Sequence, residues 1–154
     1  MSVGIPSNFD ANEADNLEHI EKQFAVVAVA QASTYWTILE KVGGRKFKMT
    51  GCDDELYEDL ISLFPEFKQN PEAAKSLDEN QMKGKEGKAK WFNFAKKYEK
   101  KVPDFNFGTL LRLRSDDEYS QENTMFAFRV QFFAIEIFRN RHGFNDWVYE
   151  QAHK

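Results

Sequence analysis

The chain has 154 residues, 42% of them apolar and 30% charged, with one cysteine and a net charge of −4. That length fits one domain able to bury about two-thirds of its unfolded surface without staples. Cys52 alone excludes an internal disulfide framework and a Cys-rich zinc site, and the mild acidity does not by itself point to nucleic acid.

The N-terminal MSVGIPSNFDANEAD lacks a basic-then-apolar signal pattern. The longest apolar run, Phe24 to Ala30, is seven residues, whereas a membrane helix needs about 20. No membrane partner is expected. Residues 1–10 read as a flexible tail and 11–154 as a single domain. Asp10 and Glu13 have capping-box spacing. Leu17, Ile20, Phe24, Val27, Gln31, Tyr35, Ile38 and Val42 then follow on steps of three and four. They make one face of a long helix that Gly43-Gly44 ends. Leu56, Leu60, Ile61 and Phe64 predict a second helix, stopped at Pro65. Ser76 and Glu79 resemble another capping box. Trp91, Phe94, Ala95, Tyr98 and Val102 line a third substantial helix, closed by Pro103.

Between Phe126 and Phe132 apolar residues alternate with others, so a strand stays open there. Thr124 to Arg141 nevertheless runs without Gly or Pro, and Phe126, Val130, Phe133 and Ile137 keep a helical spacing. Length favours one helix, terminated by Gly143 and followed by a closing helix from Asp146 to His153. The fold expected is all-α: a single-domain orthogonal helical bundle around a Phe-rich core. The 15 Phe, five Tyr and three Trp either fill that core or form an exposed patch.

Enzymatic signatures are absent: no G-x-S-x-G, G-x-x-x-x-G-K-[ST], H-E-x-x-H or C-x-x-C occurs. No cofactor and no metal are expected. Asp53, Asp54 and Glu55 suit the first turn of a helix better than a cation. Residues 83–101 carry eight lysines against two glutamates, a net +6, which leaves −10 for the remainder. With Trp91, Phe92 and Tyr98 interleaved, this is either a solvated face over a buried aromatic stripe or a docking face for RNA, ribosome or an acidic partner. In the late helix Arg129, Glu136 and Asn140 share one face. That row is either a structural ion-pair network, with Arg112 or Arg114 and the 116–118 acidic loop, or a protein-recognition site.

DFNFGTLLRLR, and then NTMFAFRVQFFAIEIFRNRHGFND, resemble the C-terminal signature of the polysaccharide-biosynthesis-domain-containing protein 1 family. QASTYWTILEKV, DDELYEDLISLF and KAKWFNFAKKYEKKVPDFN are similar to earlier segments of that family, so the resemblance runs from about Ala14 to Tyr149. The motif positions carried over include Asp104, Asn106, Gly108 to Arg112, Asn123, Arg129, Gln131, Glu136, Arg139 to Arg141, Gly143 and Asn145. His142 and Phe138 depart from the pattern, which has an acidic and a smaller residue there.

The resemblance implies a dedicated, non-enzymatic chaperone of nascent translation elongation factor 1-alpha. Such a protein engages the GTPase domain at the ribosome with the nascent-polypeptide-associated complex, in the cytoplasm with or without the nucleus. The expected contact surface is Asn106, Thr109, Arg112, Arg129, Glu136, Arg139 and Arg141. Lys96, Lys97, Lys100 and Lys101 form a secondary basic face, with no direct nucleic-acid partner expected. The alternatives are an RNA- or ribosome-binding module using the 83–101 face, and a polysaccharide-related methyltransferase. The latter needs a strand–glycine-loop–helix entrance that the chain lacks.

Overall fold

A computed structural model describes the backbone from Ala14 to Lys154 and the side chains from Ala25 onward. The tail read at 1–10 and the Asp10/Glu13 capping box lie outside the described residues. Helix α1 (Ala14–Lys41) turns Ala28, Ala32, Tyr35 and Leu39 inward, leaving Val27, Gln31 and Ile38 half-buried and Val42 exposed. The buried stripe is therefore rotated by about one residue from the expected face. The polar interruption at Gln31 is matched, since its Oε1 accepts the Thr109 hydroxyl at 3.2 Å. The helix ends as expected: the Gly43 amide donates to Ile38 at 3.2 Å, and Gly43 adopts φ +86°.

Helix α2 (Asp53–Leu63) begins where the Asp53 carboxylate accepts the Met49 and Thr50 amides at 2.8 and 2.7 Å. It buries Leu56 and Leu60. Pro65 ends it and starts the short α3 (Pro65–Gln69), where proline at the first position costs no helical bond. Helix α4 (Glu79–Lys83) is capped by Asp78, which accepts the Gln81 amide at 3.2 Å, rather than by Ser76. Helix α5 (Lys85–Lys97) buries Trp91, Phe94 and Ala95, and Tyr98 and Val102 continue its stripe through the turns that follow.

The all-α expectation is overturned at the next two elements, because Gly108–Arg112 (β1) and Thr124–Phe128 (β2) form a two-stranded antiparallel sheet. The register pairs Gly108 with Phe128 and Arg112 with Thr124. Period two governs burial: Met125 and Ala127 point inward while Phe126 and Phe128 are 49% and 40% exposed. Outside the ladder, Leu113 donates to Asn123 and Arg129 to Phe107, both at 2.8 Å. The Asn123 side chain closes the connecting loop, accepting from the Arg114 amide and donating to the carbonyls of Arg114 and Glu118. The chain is thus mixed α/β, predominantly helical.

The strand gives way to helix α6 (Arg129–Arg141) where Gln131 Oε1 accepts the Phe128 amide at 2.8 Å. Ten of the 13 residues of α6 are buried. It is the central element, touching α2, α5, both strands and the 3₁₀ turns at Gly44–Lys46 and Pro71–Ala74. Phe138 packs with Tyr57 and His142 in a triangle of rings, at 5.5 and 4.1 Å between centroids, with Tyr57 and His142 6.0 Å apart. Gly143 ends α6 at φ +78°, and α7 (Asp146–Ala152) packs against α1.

Candidate functional site

Arg112 on β1 and Glu136 and Arg139 on α6 meet in the interior, each with no exposed surface. Glu136 Oε1 lies 3.3 Å from Arg112 Nη2, and Oε2 lies 2.8 Å from Arg139 Nη1. The Tyr35 hydroxyl and the Asn145 amide also donate to Oε1, at 2.8 and 3.0 Å. Arg139 spends its other donors on the carbonyls of Ala74, Arg112 and Leu113, at 2.7, 2.9 and 3.0 Å. Arg112 donates to the carbonyls of Ser115 and Asp117, and its guanidinium lies 5.3 and 5.6 Å from the Trp36 and Tyr119 centroids, rings that touch each other edge to face. Arg112 Nε and Ser115 Oγ are buried without a hydrogen-bond partner among the described residues.

Burial alone would raise the Glu136 carboxyl. Arg139 and Arg112 outweigh burial and hold it below the ordinary carboxylate value. Burial raises the Tyr35 hydroxyl, so the phenol donates to Glu136 as a neutral group. The cluster joins α1, β1, α6, the Pro71–Ala74 turn and the cap of α7. It is an ion-pair network of the interior and offers a partner no surface.

The other expected contact residues do not converge. Thr109 is buried beneath α1. Arg129 is half-buried, its guanidinium 5.2 Å from the Phe133 centroid. Arg141 is exposed, pairs with Asp54 and covers the Tyr57 ring. Asn106 is exposed on the rim of a groove described below. On the basic face Lys97 pairs with Asp59 at 3.0 Å and Lys101 with Glu55 at 2.5 Å. Lys96 and Lys100 are exposed and have no carboxylate partner among the described residues. Among the described residues no three His, Cys, Asp or Glu side chains are placed to hold a metal. None of the described helices is long and apolar enough to cross a membrane.

A groove of about 950 Å³ separates α5 from β2. Trp91, Phe107, Met125 and Ala127 form its largely buried floor, and Asn106 sits at its lip. Phe92, Phe126 and Phe128 rise from its walls at 61%, 49% and 40% exposure. A concave apolar surface with exposed rings is where a protein surface departs most from the solvated norm. Two sequence signals bear on these residues. Phe92 falls off the Trp91–Phe94–Ala95 stripe, and Phe126 and Phe128 fall on the outward parity once β2 is read as a strand.

The family model for PBDC1 protein matches residues 20–150. A PBDC1 homolog of Schizosaccharomyces pombe is 53% identical over 144 residues, covering 94% of this chain and 97% of that protein. The Saccharomyces cerevisiae homolog is 52% identical over 145 residues, covering 94% of this chain and 99% of the relative. Human PBDC1 is 39% identical over 150 residues, which span 96% of this chain and 60% of the human protein. A solution NMR structure of a Saccharomyces cerevisiae protein superposes with a TM-score of 0.82 at 52% identity, covering 95% of this chain and 99% of the other.

Proposed function

The chain belongs to the PBDC1 family, and on that premise we propose that it is a dedicated, non-enzymatic chaperone holding the nascent GTPase domain of translation elongation factor 1-alpha until it folds. The observation that supports the reading is the α5–β2 groove, an apolar concavity with three exposed phenylalanines. A domain leaving the ribosome exposes apolar segments that its own core later buries. A groove of this size covers a few large side chains of such a segment. Release needs no energy source, because folding of the client removes the segment, and the chaperone binds one client state better than the other.

The same reading places the protein beside the nascent-polypeptide-associated complex at the ribosome, in the cytoplasm with or without the nucleus. Lys96 and Lys100, lacking carboxylate partners among the described residues, suit an approach to a negatively charged particle without sequence-specific RNA contacts.

Pull-down with the tagged protein in a translating extract tests the proposal. The intact chain should recover newly made elongation factor 1-alpha. The double variant Phe92→Ser, Phe128→Ser should recover about tenfold less while keeping its circular dichroism spectrum and melting temperature. Undiminished recovery by the folded double variant, or recovery of RNA and ribosomes without the nascent client, would overturn it.

A further inference from the structure

The groove has a charge pattern that its apolar floor does not require. Of the described residues that line it, Lys83 and Lys88 are the charged ones, and no carboxylate is among them. Lys83 is engaged by Glu79 at 2.8 Å. Lys88 has no carboxylate partner among the described residues, and neither do Lys85 and Lys96 on the same helix. Lys88, Phe92 and Lys96 stand at i, i+4 and i+8, so one face of α5 presents an exposed ring between two uncompensated ammonium groups.

We infer that the groove takes a client segment in which large apolar side chains are flanked by aspartate or glutamate. The inference rests on the client-binding reading above and names the chemistry of the segment. An apolar segment laid against Phe92 and Phe128 withdraws water from Lys88, and an ammonium that loses water without gaining a partner weakens binding. Acidic flanks supply the partner. Basic flanks add repulsion at the same place, so the lysines select against wrong segments as well as for right ones. A nucleic-acid strand fits less well, because the lysines among the groove's described lining residues lie on the α4–α5 side alone. The β2 wall offers Phe126 and Phe128 with no cation among its described lining residues.

Isothermal titration of the full chain with short synthetic peptides of matched Phe and Leu content tests this. One peptide carries Glu flanks, one Gln flanks and one Lys flanks. The Glu peptide should bind about tenfold more tightly than the Lys peptide, with the Gln peptide between them and the difference shrinking as salt rises. The exposed substitution Lys88→Glu should reverse the order. Equal binding of all three peptides, an order unchanged by Lys88→Glu, or displacement of the Glu peptide by a uridine oligonucleotide would overturn the inference. The two readings fail separately. Charge-blind peptide binding with nascent client still lost in Phe92→Ser, Phe128→Ser rejects the segment chemistry alone. A reversed order with no client recovered from the extract rejects the client and leaves the groove chemistry standing.

Discussion

Two guanidinium groups converge on one carboxylate in the interior, and the balance between them sets much of what single substitutions do. Removing Glu136 leaves Arg112 and Arg139 buried with nothing negative between them. Glu136→Gln should therefore cost about 3–5 kcal/mol, read as a shift in the urea midpoint. The acid limb follows from the same group. Its folded-state carboxyl lies below the ordinary value of 4.5, so its contribution is complete above that pH and drains away as pH falls through the lower folded value. The variant should show a flatter acid limb. His142 acts on the same side of neutrality. Burial, helped by Arg45, lowers its imidazole below 6.5, so the folded state holds the proton less firmly than the unfolded chain. Its contribution is complete above about pH 6.5 and declines below it. His142→Phe, which keeps a ring against Phe138, should remove that slope in thermal melts recorded between pH 7 and pH 5.

Among the elements, α6 packs closely against the Gly44–Lys46 turn. A methyl group on Gly44 would stand 2.1 Å from Asn140 Oδ1. That amide cannot swing aside freely, because Asn145 donates to its oxygen at 2.7 Å and its nitrogen donates to the Tyr35 hydroxyl at 3.2 Å. Gly44→Ala should cost about 1–3 kcal/mol by urea unfolding. The glycines closing α1 and α6, the stop at Pro65 and the stripe of α5 were all legible, because each is a local signal carried by a few neighbouring residues. β2 was not. Its alternation lasts five residues, and Phe126, Val130, Phe133 and Ile137 happen to sustain a helical spacing across the strand–helix junction. What decides the matter is pairing with β1, a contact between distant segments that periodicity does not encode. The site was legible in part for the same reason. Polar residues on a largely apolar segment signal either a network with Arg112 or Arg114 and the 116–118 loop or a recognition site; the structure joins Arg112 to Glu136, while Arg114 pairs with Asp116 at the surface. Whether that network faced solvent depended on α6 being central. Phe126→Thr, outward on β2, should leave stability within about 1 kcal/mol, whereas Ala127→Asp should abolish cooperative unfolding.

At the scale of the whole molecule, the stabilising network and the groove proposed for recognition occupy different places. The interior network draws on α1, β1, α6, the Pro71–Ala74 turn and the cap of α7, while the groove lies at the surface between α5 and β2. A network shared this widely predicts one cooperative transition. Far-ultraviolet and near-ultraviolet circular dichroism should melt together in the intact chain and together, at lower temperature, in Glu136→Gln. The three indoles are divided in the same way. Trp36 and Trp147 lie 5.8 Å apart beside the Arg112 cluster, with Trp147 donating to the Ser115 carbonyl. Trp91 lies in the groove floor against Phe64 and Phe94. Replacing Trp36 and Trp147 by phenylalanine leaves one indole, Trp91 in the groove floor, to be excited selectively at wavelengths beyond the tyrosine band. If the groove takes a segment as proposed, the Trp91 emission should shift as the segment arrives and leaves, with no dye attached.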